Sequence, residues 1–259
     1  MVASVSLVEL DDGRQVVAKQ SADTPLSVEA AMLRYLAENT ALPVPAVLHS
    51  SDELLLLEYV ENDDRLGPSV EEHAAELLAE LHSASSPAGQ FGFETDTLIG
   101  PFVQVNTWSS SWPGFFRERR LLPMLDVCRE RGRLDASALE SVETIAADLE
   151  ELLDHAPVPG LVHGDVWGGN VLVRDGRVVA FLDPAIYFAD PEVELAFIDL
   201  VSTFGEAFWT HYRGLRPVVP GYREVRRDVY QLYPLLVHVA LFGGAYVDAL
   251  GERVRRLGY

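Results

Sequence analysis

The sequence is poor in positive charge and almost free of lysine. Its 259 residues include 40 acidic and 20 basic side chains, which gives a formal net charge of −20. Lys19 is the one lysine, so the other basic residues are arginines. An acidic surface of this kind repels phosphate backbones and anionic membranes, and we therefore expect neither nucleic acid nor a membrane as a partner. A halophilic host and an arginine-rich genome both explain the scarcity of lysine, and the sequence leaves these two explanations open.

Cysteine is equally scarce, and long apolar runs are rare. Cys128 stands alone, which excludes an internal disulfide framework and fits a reducing compartment. We therefore expect a buried thiol in a cytoplasmic protein. The stretch YQLYPLLVHVALFGGAYV at residues 230–247 has no formal charge and just reaches membrane-spanning length. Because it contains Gln231, Pro234 and His238, we interpret it as a buried helix.

The first 60 residues predict a small sheet with one helix. Two strand-like runs flank Asp12-Gly13, a dipeptide typical of tight hairpin turns. Thr24 and Pro25 predict the N-cap and the first turn of the helix. The apolar run in ELLLLEYV predicts a buried strand.

The rest of the chain is predominantly helical in pattern. Ser69 and Glu72 have the spacing of a capping box, and Asp135 precedes a second run of apolar residues at helical spacing. We therefore predict a small β-rich lobe at residues 1–60 and a larger helical lobe at residues 61–259.

The stretches HGDVWGGN and FLDP contain the residues best suited to catalysis. Asp165 and Asn170 lie in one loop after a short apolar strand. Asp175-Gly176 favours a tight hairpin turn between the next two strands. Closing that hairpin would bring Asn170 and Asp183 together beside Asp165. Two oxygen ligands next to a free carboxylate suit Mg²⁺, which binds few protein ligands and keeps positions for substrate phosphates.

These groups match the requirements of phosphoryl transfer from ATP. Asp165 would deprotonate the attacking hydroxyl, while Asn170 and Asp183 would hold Mg²⁺. Lys19, at the end of VVAK, resembles the strand lysine of protein kinases that contacts the phosphates, and Glu29 can pair with it. Arginine would replace this lysine poorly, because its planar fork does not match a compact ammonium site. The order of the five residues predicts an α+β, two-lobed, protein-kinase-like fold that uses ATP and Mg²⁺.

Three departures distinguish the chain from protein kinases. Gly164 stands where an arginine usually precedes the catalytic aspartate, DPA replaces the DFG triplet, and no APE follows. The acidic cluster DPEVELAF comes so soon after Asp183 that no activation segment fits between them. We therefore expect a small-molecule hydroxyl as the phosphoryl acceptor.

From about Val16 to its end, the chain resembles the fructosamine (ketosamine-3-) kinases of the aminoglycoside- and choline-kinase-like group. The resemblance rests on FGFETDTLIGPFVQVNTWSSSWPGFFRERRLLP, HGDVWGGN, DPAIYFADPEVELAF and YQLYPLLVHVALFGGAY. It implies ATP-dependent phosphorylation of the sugar 3-hydroxyl of a ketosamine, free or protein-bound, whose product then decomposes and frees the amine. Members of the family carry a further N-terminal segment with a glycine-containing phosphate loop, so we expect the chain to begin inside the small lobe.

The resemblance assigns roles to matching positions. Asp165 would be the catalytic base, with Asn170 and Asp183 as Mg²⁺ ligands and Lys19 with Glu29 as the phosphate clamp. Two further assignments concern ligand contacts, namely adenine binding by backbone groups of Glu58, Tyr59 and Val60, and a flat face for the ketosamine on Trp167. Packing of the loop is the alternative role of that tryptophan.

Two other functions stay open at this point. A related kinase could act on an aminoglycoside, choline or a homoserine-like hydroxyl, although the FGF…NTW…FF stretch weighs against it. A catalytically silent kinase-like binding module is the alternative of a different class. We expect His163 to brace the catalytic loop, and the spacing of the other histidines predicts no zinc site. The oligomeric state is not predicted.

Overall fold

The computed structural model describes residues 3–63 and 65–259. Within them the chain forms ten strands, β1 (Ser4–Glu9), β2 (Gln15–Gln20), β3 (Val47–Ser50), β4 (Leu54–Glu58), β5 (Thr97–Ile99), β6 (Phe102–Gln104), β7 (Gly160–Val162), β8 (Val171–Arg174), β9 (Arg177–Phe181) and β10 (Tyr187–Ala189). The ten α-helices are α1 (Leu26–Asn39), α2 (Pro68–Leu81), α3 (Trp112–Phe116), α4 (Leu122–Glu130), α5 (Ala136–Ala147), α6 (Leu149–Leu152), α7 (Glu192–Val201), α8 (Glu206–Leu215), α9 (Arg227–Phe242) and α10 (Ala245–Leu257). A sheet-rich N-terminal part is thus followed by a mainly helical remainder, which confirms the predicted fold class.

The N-terminal sheet has the strand order β1-β2-β4-β3 and is antiparallel throughout. The predicted hairpin at Asp12-Gly13 is confirmed, with Gly13 in the left-handed region at φ 79°. The buried strand predicted from ELLLLEYV is β4, which lies between β2 and β3 in the sheet. Its Leu55 and Leu57 pack with Leu33 of α1 in a small apolar cluster. The sheet therefore has one covered face, and β1 is exposed along its whole length.

The two predicted helix caps near residues 24 and 69 are wrong. Helix α1 begins at Leu26, with Pro25 as its N-cap and no side-chain capping hydrogen bond. The Leu26 amide donates instead to the Asp52 carbonyl at 2.9 Å. Helix α2 begins at Pro68, a residue preorganised for the first helical position, so Ser69 lies inside the helix. The prediction for Asp135 is confirmed, because its carboxylate accepts from the Ala138 amide at 2.8 Å.

The helical part has one extended apolar core. Helix α9 crosses it, with Leu232, Leu236 and Val239 fully buried, which confirms the buried helix predicted in residues 230–247. Helix α9 ends at Phe242, with Gly243 as its C-cap. No helix among the described residues is long and apolar enough to cross a membrane. Cys128 is fully buried on α4, and its thiol donates to the Leu236 carbonyl at 3.3 Å.

Candidate active site

Strands β8 and β9 form the hairpin that carries two of the predicted site residues. Asp175 and Gly176 turn the chain at φ 52° and 74°, as a tight hairpin turn with two left-handed residues requires. At the open end of the hairpin, the Leu182 amide donates to the Asn170 carbonyl at 2.9 Å. This bond places Asn170 beside Asp183, as the sequence predicts.

Asn170 links the hairpin to Asp165. Its side-chain nitrogen donates to Asp165 Oδ2 at 3.0 Å and to the Asp165 carbonyl at 3.0 Å. The Asn170 side chain is buried, so these bonds fix the orientation of its amide. The amide oxygen is then the side-chain atom that can bind a cation.

Lys19 brings the sheet-rich part into the same cluster. Its Nζ donates to Glu29 Oε1 at 2.7 Å and also to Asp183 Oδ1, and the residue is only 8% exposed. Although burial opposes the charged form, the carboxylates of Glu29 and Asp183 raise the pKa of Lys19 above its ordinary value. Lys19 is therefore a protonated ammonium group that joins β2, α1 and the hairpin.

The electrostatics of Asp165 differ from those of an ordinary aspartate. Burial and the nearby charge of Asp183 raise the pKa of Asp165 to about 7, and the hydrogen bond from Asn170 opposes the change. A carboxylate with this pKa accepts a proton more readily than an exposed aspartate does. The arrangement suits a general base that works near neutral pH.

The glycine before Asp165 has a steric explanation. Gly164 has φ 87°, and a Cβ atom there would overlap the Ala185 carbonyl oxygen. The arginine of protein kinases cannot occupy this position without moving the chain. The loop is also braced by His163, whose Nδ1 accepts from the Asp165 amide at 3.3 Å. Burial lowers the pKa of His163, which keeps this ring nitrogen unprotonated.

A cavity of about 50 Å³ lies against Asp165 on the side of the helical part. Its lining is mainly aromatic and apolar and comes from segments far apart in the sequence, including Gln104, Phe116, Tyr187, Phe197, Tyr233 and Val237. Sequence reasoning did not assign these residues to the site. The one feature of the sequence that could have indicated them is that most lie in stretches on which the family resemblance rests, namely QVNTW, WPGFF, DPAIYF and YQLYPLLV.

The residues predicted to contact the ketosamine and adenine, Trp167 and the segment from Glu58 to Val60, lie outside the cluster of Lys19, Asp165, Asn170 and Asp183. Trp167 is 48% exposed, its ring covers Gly169, and it is not part of the cavity lining. At the end of β4, the Glu58 amide donates to the Ala46 carbonyl at 2.9 Å. The Val60 carbonyl accepts from the Asn62 side chain at 3.2 Å.

One group of metal-type ligands that the sequence spacing did not show lies elsewhere. Ligand atoms of His155, Asp190 and Glu192 lie within 4.8 Å of one another. Arg226 pairs with both oxygens of Glu192, at 2.6 and 2.9 Å. Asp190 Oδ2 accepts from Tyr230 and from His155, both at 2.6 Å. Both carboxylates are bonded within the protein, although His155 Nδ1 is buried without a hydrogen-bond partner, and we interpret the cluster as a buried hydrogen-bond network.

Solved structures define the class of the protein. A Thermobifida fusca protein assigned as a fructosamine-3-kinase superposes with a TM-score of 0.89 at 33% identity, over 99% of this chain and 90% of that one. An aminoglycoside phosphotransferase superposes with a TM-score of 0.67 at 21% identity, over 100% of this chain and 91% of that one, and so shares the fold. The fold and the cluster of lysine, carboxylates and asparagine place the protein in the class of protein-kinase-like phosphotransferases.

Sequence relatives narrow this class to one family. The chain belongs to the fructosamine kinase family, whose model matches residues 11–257. A probable ketoamine kinase of Synechocystis is 37% identical over 240 residues, 88% of this chain and 77% of that protein. The chloroplastic protein-ribulosamine 3-kinase of Arabidopsis thaliana is 33% identical over 225 residues, 84% of this chain and 67% of that protein. The resemblance seen in the sequence is thereby confirmed.

Proposed function

We propose that the protein transfers the terminal phosphoryl group of ATP to the sugar 3-hydroxyl of a ketosamine. One observation carries the proposal, namely the convergence of the Lys19 ammonium, the Asp183 carboxylate and the Asp165–Asn170 pair at one place. The substrates in the names of its relatives, a ketoamine and a protein-bound ribulosamine, support the acceptor class.

Asp165 is the proposed catalytic base. Its Oδ2 is held by Asn170, so Oδ1 is the oxygen that would take the proton of the sugar hydroxyl. The raised pKa of Asp165 favours this transfer, because the proton acceptor is then better matched to neutral pH. The direction of the Asp165 side chain is fixed before substrate binds, which lowers the cost of orienting base and hydroxyl.

Asn170 and Asp183 are the proposed Mg²⁺ ligands, and their donor atoms fit this ion. Asn170 turns its nitrogen to Asp165 and keeps its oxygen for a cation. The Asp183 side chain is 49% exposed, so its carboxylate can reach a ligand while it contacts Lys19. When bound, Mg²⁺ would offset the negative charge on the phosphates of ATP.

Lys19 is the proposed phosphate contact. Its ammonium group lies between Glu29 and Asp183, which hold it in place across the two parts of the molecule. Desolvation makes a charge contact at this position stronger than one at the surface. The pair with Glu29 also limits the positions that the lysine side chain can adopt.

We further propose that the end of β4 binds the adenine ring. The hydrogen bonds described above use the Glu58 amide and the Val60 carbonyl. The backbone groups of Glu58, Tyr59 and Val60 that these bonds leave unused would contact the base. This arrangement corresponds to a nucleotide-binding lobe at residues 1–60 and a catalytic lobe at residues 61–259.

The cavity beside Asp165 is the proposed site of the acceptor. Its aromatic walls suit the apolar faces of a sugar, and Gln104 adds a polar group. Trp167 follows Asp165 by two residues and has a half-exposed ring, so we propose that it contacts the ketosamine outside the cavity. A single buried thiol fits the reducing conditions of the cytoplasm, where we propose that the protein acts.

The proposal is tested by incubating the protein with ATP, Mg²⁺ and fructosyl-lysine and following the sugar by ³¹P NMR. We expect one new phosphomonoester signal that couples to the proton on carbon 3. Kanamycin and choline serve as alternative acceptors, and the Asp165→Asn variant is the control for contaminating kinases. Phosphorylation of an alternative acceptor alone would contradict the ketosamine assignment, and absence of any turnover would favour the silent binding module.

A further inference from the structure

Glu194 is a fully buried carboxylate that contacts the catalytic loop. It lies in the first turn of α7, and its side chain is 0% exposed. Its Oε1 accepts from the Gly164 amide at 2.6 Å. Gly164 directly precedes Asp165, so this short bond holds the His163–Gly164 peptide group, one residue before the proposed base.

The second oxygen of Glu194 is held by a histidine. His82, at the end of α2, contacts Glu194 Oε2 through Nε2 at 2.8 Å. Because a carboxylate only accepts, the histidine nitrogen is the donor. The other ring nitrogen of His82 lies 2.7 Å from the Tyr212 hydroxyl on α8. Three helices therefore fix the position of one carboxylate.

The charge of Glu194 is kept despite its burial. Burial alone would favour the neutral acid, but His82 and the Gly164 amide lower the pKa of Glu194 below its ordinary value. A buried ionised carboxylate is costly unless its oxygens are hydrogen-bonded, and here both oxygens have partners. A bond from an amide to an ionised carboxylate is also stronger than one to a neutral acceptor.

Gly164 has little freedom apart from this bond. Its left-handed backbone lies against the Ala185 carbonyl, and the Ala185 amide donates to the His163 carbonyl at 2.7 Å. The loop is thus held from one side by the segment after Asp183 and from the other side by Glu194. Removing either contact would let the His163–Gly164 peptide group rotate, which would shift the backbone that leads to Asp165.

We propose that Glu194, oriented by His82, is a positioning residue that sets the direction of Asp165 through the Gly164 amide. The proposal rests on the proposed function, because Asp165 acts as the base only if the protein is a kinase. Glu194 also lines the cavity proposed for the acceptor, but both of its oxygens are bonded, to the Gly164 amide and to His82, so in this role it acts through Gly164 and not on the acceptor hydroxyl. Its effect should therefore be on kcat and not on the KM for ATP.

Glu192 provides a matched control. It lies on the same helix, is also buried, and pairs with Arg226 instead of the catalytic loop. Glu192→Ala and Glu194→Ala each remove a buried, hydrogen-bonded carboxylate, so both should lower the melting temperature. Only Glu194→Ala removes the acceptor of the Gly164 amide.

The kinetic test measures kcat and the KM for ATP per folded molecule in Glu194→Ala, Glu194→Gln and Glu192→Ala. Misplacement of the base in Glu194→Ala should lower kcat by about 100-fold with little change in KM. In Glu194→Gln the amide oxygen can still accept from Gly164, so kcat should recover to within about 10-fold of the wild type. Glu192→Ala should keep the wild-type kcat. Equal losses in the two alanine variants, or no recovery with glutamine, would overturn the proposal.

A second measurement separates this proposal from the proposed function. Amide hydrogen exchange followed by NMR reports the hydrogen bond of the Gly164 amide, whichever substrate the enzyme phosphorylates. Protection at Gly164 and Asp165 should fall in Glu194→Ala and stay unchanged in Glu192→Ala. If wild-type protein shows no turnover but this pattern holds, the proposed function fails while the positioning contact stands. Unchanged protection in Glu194→Ala would overturn the positioning role.

Discussion

The two parts of the molecule hold their functional groups in different ways. The sheet-rich part has a small apolar cluster of five buried residues, and ion pairs with Glu29 and Asp183 hold Lys19 in position. The helical part has an extended apolar core, and the backbone geometry at Gly164 and buried hydrogen bonds hold Asp165 in position. Charge contacts can adjust when a nucleotide enters, whereas the packed loop keeps one geometry. The difference suggests that phosphate binding is adaptable and that the base is rigid.

The largest expected effect is loss of the base in the rigid part. Asp165→Asn keeps the size and the hydrogen bond to Asn170 but removes the proton acceptor. We expect kcat to fall by about 1,000-fold while ADP binding, measured by calorimetry, stays close to that of the wild type. Substantial residual turnover would show that another group accepts the proton.

The next effect concerns the adaptable part. Lys19→Arg keeps the positive charge but replaces a compact ammonium group by a planar fork that does not fit between two carboxylates. We expect kcat/KM for ATP to fall by about 100-fold, comparable to the loss of one strong charge donor in other active sites. Steady-state kinetics at several ATP concentrations measure this change.

The control for Lys19 is its partner on α1. Glu29→Gln keeps a hydrogen-bond acceptor for the ammonium group, so kcat/KM for ATP should fall less in this variant than in Lys19→Arg. Near-normal kinetics in Lys19→Arg would mean that charge alone matters at this position. The argument from the shape of the lysine site would then be wrong.

A smaller effect is expected from pH. Because the pKa of Asp165 is raised to about 7, the fraction of active, deprotonated base falls as the pH drops below neutrality. A group with this pKa loses about 10-fold of its deprotonated form between pH 8 and pH 6, which is the upper limit for the fall in rate. Bound Mg²⁺ would lower the pKa of Asp165, so at saturating metal the fall over this range should be smaller than about 10-fold. A rate that rises on acidification would contradict the assignment.

The smallest effect is expected at the outer edge of the sheet. Leu7 is more than half exposed on β1, so Leu7→Thr should change the free energy of unfolding by no more than about 0.5 kcal/mol. Leu55 on β4 is fully buried, and Leu55→Ala should cost about 2–5 kcal/mol. Urea denaturation measures both changes. Equal costs would show that β1 is covered in solution.

Local patterns predicted much of the fold and the proposed catalytic cluster. The hairpins at Gly13 and Gly176 depend on short stretches with left-handed turn residues, which the sequence shows directly. The N-cap at Ser69 failed because Pro68 occupies the first helical position. The N-cap at Thr24 failed although Pro25 follows it, because the Leu26 amide bonds to the Asp52 carbonyl, a contact distant in sequence.

The supporting contacts of the site were not predictable from local patterns. The Gly164 amide finds its acceptor on Glu194, 30 residues later in the chain, and the partner of that acceptor, His82, lies 112 residues away from it. No periodicity or turn preference encodes such pairs, because they depend on how whole helices pack. For the same reason, the sequence did not predict that Gln104 and Tyr233 line the cavity.

The most direct test uses the single lysine. Protein grown with lysine labelled with ¹⁵N at the ε position should give one side-chain signal, that of Lys19. If Lys19 and Asp183 belong to one metal–nucleotide site, Mn²⁺ with ADP should broaden this signal beyond detection, and Asp183→Asn should preserve it. A sharp, unshifted signal in the presence of bound Mn²⁺ and ADP would contradict the shared site and with it the proposed mechanism.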